Sequence, residues 1–139
     1  MTSGKVSRIW PHTDLGVITL LFQKEVGGLE VQDREHPDNF LPIESRGPDE
    51  MIINISETMQ RWSNDELPAG VHRVTAPRAW PGMDAGEPVP CRYSIAYFTK
   101  ADRSAPVGSL RSFVRKDAKP VYEDITAAEY HKRRLTTAY

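Results

Sequence analysis

The sequence predicts a mainly β domain, a sandwich or barrel, with a helix closing its C-terminal end. Six short runs rich in β-branched and aromatic residues are separated by turn signals, the pattern of an all-β fold. Eleven prolines and nine glycines punctuate the 139 residues, too often for a helical bundle. The longest 3.6-residue periodicity comes last, after all the strand-like runs, so helix and sheet are segregated along the chain.

The first strand is expected at residues 16–22 (GVITLLF). The Val26-Gly27-Gly28 turn leads to a second at 29–32 (LEVQ), which alternates apolar and polar like a half-buried strand. Residues 40–43 (FLPI) form a weaker candidate, because Pro42 confines it to an edge or a strand start. Residues 51–55 (MIINI) read as a buried strand, and Ser56 stands as N-cap before one or two helical turns at 57–62. Turn signals at Asn64-Asp65 and Pro68-Ala69-Gly70 precede a short strand at 71–74 (VHRV). Residues 77–90 hold four prolines and two glycines and are expected as a long loop. The clearest strand follows at 92–98 (RYSIAYF). Thr126 and Glu129 form a capping box for a closing helix of three to four turns, with Ala127, Tyr130, Leu135 and Ala138 on one face.

Eighteen basic residues stand against nineteen acidic, a net charge of −1. That balance offers no electrostatic footprint for nucleic acid or an anionic membrane. No apolar run approaches the ~18 residues of a spanning helix, and the first residues, MTSGKVSRIW, lack a signal-peptide core. The single cysteine, Cys91, excludes an internal disulfide framework and a multi-thiolate metal site. One globular, cytoplasmic domain over residues 1–139 is the expectation.

Four histidines are present. His131 lies in a His-Lys-Arg-Arg run and is expected on a solvated helix face; His36 sits in a polar loop. His12 precedes Asp14 by two residues, just before the first apolar strand. In extended backbone such residues project to one face, so an imidazole and a carboxylate can converge. They are two of the three ligands of a 2-His-1-carboxylate triad; a surface hydrogen bond in a turn is the plainer reading of the pair taken alone. His72, 58 residues after Asp14, falls on a separate strand that antiparallel pairing could bring to the first. Twenty residues further, Arg92 and Ser94 share a strand face, and guanidinium beside hydroxyl makes a carboxylate receptor. A surface ion pair is the plainer reading of that arginine. Trp80 is expected to line a pocket or pack over a barrel mouth. Trp62 is expected in the core, Trp10 beside the first strand, and Cys91 as a small buried hydrophobe.

Taken in order, His12-x-Asp14, His72 and Arg92-x-Ser94 resemble the Fe(II)/2-oxoglutarate-dependent dioxygenases related to isopenicillin N synthase. The surrounding HTDLGVITLLFQ, GGLEV, MIINI, VHRVTAP, RYSIAYF and ITAAEYHKRRLTTAY carry the resemblance along essentially the whole chain. Fungal members of natural-product pathways look most similar. The resemblance implies a double-stranded β-helix, the cupin-like jelly roll. It implies that His12, Asp14 and His72 ligate Fe(II), and that Arg92, assisted by Ser94, holds the C5 carboxylate of 2-oxoglutarate. O2 would oxidise that cosubstrate to succinate and CO2 while a small organic molecule is hydroxylated, desaturated or cyclised. Both histidines must be neutral to ligate, so metal affinity is expected to fall in acid.

Two departures stand against the family pattern. Family members carry a helical and strand region before the His-x-Asp strand, whereas only 11 residues precede His12 here. Ala69-Gly70-Val71 also replaces the hydroxyl residues common before the second histidine. The first departure predicts a jelly roll truncated at its N-terminus, with an unpaired edge prone to self-association unless another chain supplies the missing half. Three functions remain open at this point: a dioxygenase, a remnant that binds metal without turnover, and a non-enzymatic cupin-like module.

Overall fold

The computed structural model describes residues 7–47, 49–76 and 91–137. In order, these carry β1 (Ser7–His12), β2 (Ile18–Gln23), β3 (Leu29–Gln32), β4 (Phe40–Pro42), β5 (Ile52–Ile55), α1 (Glu57–Trp62), β6 (His72–Thr75), β7 (Ser94–Phe98), a 3-10 turn at Arg111–Phe113, and α2 (Ala127–Thr137). The mainly β expectation with a closing helix holds, with one strand more than expected. The loop at 77–90, with Trp80, and Ala138 lie outside the described residues.

Two sheets form, one ordered β1-β6-β3-β4 and the other β5-β2-β7. In the first, all pairings are antiparallel, and His12 and Val31 both register with His72 from opposite sides. Pro42 ends β4 at the sheet edge, where its missing N–H leaves no ladder bond unmade. The β2–β7 pair is tied by Val17 N–H to Thr99 O (2.9 Å) at one end and Lys24 N–H to Tyr93 O (3.3 Å) at the other. Gly27 and Gly28 take φ of +77° and +89°, left-handed values that cost glycine little.

The chain groups into two compact units. One comprises Met1–His12, Leu21–Ile52 and Gly70–Ala96; the other comprises Thr13–Leu20, Ile53–Ala69 and Tyr97–Tyr139. The first contains the whole four-stranded sheet, with Leu29 and Val74 as its buried apolar residues. The second is centred on Val107, Ala127 and Tyr130, with Ala101 and Ile125 against them. There Arg61 is buried between the rings of Tyr122 and Tyr130, 4.8 and 4.6 Å from their centroids, and its Nε donates to Val107 O at 2.7 Å. A guanidinium so sandwiched keeps its donors satisfied while packing as a flat apolar plate.

Four expectations about single residues need correction. Cys91 is exposed, not buried, because it precedes a strand that is itself exposed throughout. Trp10 is 74% exposed, since β1 borders the sheet and leaves the indole nothing to cover. Trp62 is only half-buried, its Nε1 donating to Pro106 O at 3.0 Å. Ser56 is the N-cap of α1 as expected, although its side chain makes no cap bond. His131 is half-buried rather than solvated, its Nε2 lying 3.3 Å from Leu15 O. No helix among the described residues is long and apolar enough to cross a membrane.

Candidate metal and cosubstrate site

The end of β1 and the start of β6 are register partners, so strand pairing itself sets His12 beside His72. Their ring centroids are 4.3 Å apart. Each Nδ1 faces a backbone carbonyl: Trp10 O at 2.8 Å for His12 and Gly70 O at 3.0 Å for His72. A carbonyl can only accept, so each Nδ1 donates a proton to it and Nε2 is the ring nitrogen left to face a metal. That outer hydrogen bond orients the ring as it does for a metal-ligating histidine.

Asp14 follows two residues after His12 and is 8% exposed. Its Oδ2 accepts from Thr19 Oγ1 at 2.6 Å and Asn54 Nδ2 at 3.0 Å, which fixes the carboxylate plane. One ligand atom each from His12, Asp14 and His72 lies within 4.8 Å of the others. Adjacency along the chain makes one link of that cluster, and strand register makes the other.

Arg92 lies in the same unit as the histidines. One terminal nitrogen donates to Ser94 Oγ at 3.1 Å and the other to Gln23 Oε1 at 2.7 Å. Gln23 is buried and donates in turn to Ile43 O at 3.3 Å, so the guanidinium is held from β2. Arg92 Nε is buried with no hydrogen-bond partner. Burial, and then the charge of Arg8, lower the Arg92 pKa from its ordinary value. A guanidinium remains charged regardless, so desolvation, a like charge and an unsatisfied N–H together favour an anion at this point.

The structure therefore brings His12, Asp14 and His72 together, and Arg92 with Ser94. Sequence reasoning missed Thr19, Asn54 and Gln23. A polar residue inside the apolar run MIINI was a signal for Asn54; Thr19 and Gln23, within and at the end of an ordinary strand, gave none.

A family model, the 2OG-Fe(II) oxygenase superfamily, matches residues 3–101. The chain belongs to that superfamily. It is 55% identical over 144 residues to 2-oxoglutarate-dependent dioxygenase ucsF of Acremonium sp, covering 100% of this chain and 43% of that protein. It is 46% identical to 2-oxoglutarate-dependent dioxygenase ecdK of Aspergillus rugulosus, covering 98% of this chain and 41% of that protein. Among solved structures, a full-length Neurospora crassa protein in complex with alpha-KG superposes with a TM-score of 0.84 at 31% identity, over 99% of this chain and 39% of that one. The rice dioxygenase for auxin oxidation superposes with a TM-score of 0.78 at 30% identity, over 97% of this chain and 42% of that one. These 2OG-Fe(II) oxygenase neighbours are jelly rolls, so the fold class expected from the sequence holds. The chain spans about two fifths of the length of the curated relatives it matches.

The residues present fit the two groups that the superfamily's name implies. Two imidazoles held through Nδ1 and an oriented carboxylate, with one ligand atom each within 4.8 Å of the others, suit Fe(II) with open coordination positions. The orphaned Nε–H of Arg92, beside the Ser94 hydroxyl, suits a carboxylate of 2-oxoglutarate.

Proposed function

We propose that this chain forms the iron- and cosubstrate-binding part of a 2-oxoglutarate-dependent dioxygenase acting on a small organic molecule of fungal secondary metabolism. The observation that carries it is the His12–His72 pair, each Nδ1 held by a backbone carbonyl, beside the oriented Asp14. His12, Asp14 and His72 hold Fe(II), and Arg92 with Ser94 holds the C5 carboxylate of 2-oxoglutarate. Bound there, iron and cosubstrate supply the oxidative decarboxylation by O2 that yields succinate and CO2 and drives oxidation of an unactivated C–H bond.

The protein's own residues have narrower tasks. Trp10 O and Gly70 O keep the two imidazole protons away from the metal side. Thr19 and Asn54 stop the Asp14 carboxylate from rotating. Gln23 holds one arm of Arg92, so that its remaining donors meet the cosubstrate in a fixed direction. The exposed aromatic and aliphatic side chains of β7 favour a further reading, in which substrate turnover requires additional polypeptide, from a second copy or another chain, over that strand.

Anaerobic calorimetric titration of Fe(II)-loaded protein with 2-oxoglutarate tests the assignment. Arg92→Lys removes the planar fork and leaves Gln23 Oε1 poorly matched, so binding should weaken by about 10-fold or more. Equal affinity in wild type and Arg92→Lys, with or without metal, would place the cosubstrate elsewhere.

A further inference from the structure

The loop that bears Asp14 is gripped from behind by one helix end. Around it, Glu57 N–H donates to Asp14 O (2.8 Å), Thr58 N–H to Gly16 O (2.9 Å) and Ser56 N–H to Val17 O (3.1 Å). Thr58 Oγ1 adds a bond to Leu15 O at 2.9 Å. The N-cap and first turn of α1 thus give their orphan N–H groups to the carbonyls of Asp14, Gly16 and Val17, and the Thr58 hydroxyl takes Leu15. Gly16 completes the fit, since a Cβ there would lie 2.3 Å from Thr99 O.

A second side-chain bond in this region joins two side chains, and the backbone does not require it. Thr13 sits between His12 and Asp14, and its hydroxyl donates to Glu57 Oε1. The same carboxylate takes a two-pronged ion pair from Arg134 of α2, at 2.9 and 2.7 Å, and a hydrogen bond from Tyr130. All four residues belong to one compact unit. Alternation in extended chain sends the side chain of residue 13 opposite to those of 12 and 14.

We propose that Glu57 is a positioning residue for the iron site: it holds Thr13, and so the Asp14 loop, on a carboxylate that the C-terminal helix immobilises through Arg134 and Tyr130. The inference rests on Asp14 being an iron ligand. Helix α2 then becomes a remote determinant of metal affinity, although it offers no ligand itself. Arg133, one residue earlier, pairs with Glu123 and Glu129 instead and lies outside the grip.

Titration with Co(II), followed by its visible absorption, separates the possibilities without turnover. Thr13→Val keeps the shape and removes the hydroxyl; it should weaken Co(II) binding about 10-fold, as loss of an outer hydrogen bond to a metal site does. Thr13→Ser should restore binding, Glu57→Ala should match or exceed the loss, and Arg133→Ala should bind as wild type. A merely structural contact would lower the unfolding temperature of Thr13→Val and leave its Co(II) affinity and band positions unchanged, and that result overturns the proposal. Should Glu57→Ala not fold, the Thr13 pair decides alone. If Asp14→Ala binds Co(II) like wild type, the site assignment fails, and the inference falls with it.

Discussion

At Glu57 one carboxylate, largely covered by protein, accepts from Thr13, Tyr130 and Arg134. Burial pushes its carboxyl up, but the bonds from Arg134, Thr13 and Tyr130 outweigh burial and hold it below its ordinary range. Tyr130 shows the reverse: burial and the Glu57 carboxylate raise its phenol well above the ordinary 10.0. A pKa raised by folding stabilises the fold below the unfolded value, and that contribution is lost as pH climbs through the folded one. Tyr130→Phe should therefore be less stable than wild type at neutral pH by about 1 kcal/mol, one hydrogen bond. The two should converge as urea unfolding is repeated above pH 10. A gap that stays constant with pH would show that the phenol does not titrate with unfolding. The residues proposed for the site were picked out because His-x-Asp and Arg-x-Ser are short local spacings, each at one end of a strand. Their supports were not: Asn54 lies 40 residues from Asp14, and Gln23 lies 69 from Arg92. Only the folded chain makes them neighbours.

Among the elements, periodicity located most strands to within two residues. Residues 29–32 match β3, and 57–62 match α1. β1 escaped because Pro11 and mixed polarity give it no period of two; its pairing to β6 makes it a strand, with register shifts that absorb the irregularity. The run at 16–22 begins as a strand only at Ile18, since the carbonyls of Gly16 and Val17 are taken by α1. β7 was read correctly as strand, yet every one of its residues is exposed. Aromatic content identifies a strand and says nothing of what covers it. Ile95 is 72% exposed, so Ile95→Lys should change stability by less than about 0.5 kcal/mol and raise the concentration at which the chain stays monodisperse in light scattering. A destabilisation of several times that size would show Ile95 to be packed.

At the scale of the whole molecule, the fully buried residues among those described are more often polar than apolar. Among the described residues only Leu29, Val74, Val107, Ala127 and Tyr130 are buried apolar residues, while Asp14, Thr19, Gln23, Glu30, Ser56, Thr58, Arg61 and Ser63 are buried and polar. Of these, Asp14 and Thr19 bond each other at the proposed metal site and Gln23 holds Arg92, so part of the polar burial lies where the chemistry is proposed. The fold class was legible from strand content and turn signals, and the family from five residues in order. The two-unit grouping was not, because it depends on which strands share neighbours across long sequence separations. If iron and 2-oxoglutarate meet on this chain through His12, Asp14, His72 and Arg92, anaerobic addition of Fe(II) and then 2-oxoglutarate to purified protein, followed by visible absorption spectroscopy, should show it. Wild type should develop an iron-to-cosubstrate charge-transfer band that is absent in Asp14→Ala and in Arg92→Ala; no band in folded wild-type protein, or a band that survives both substitutions, would rule that assignment out.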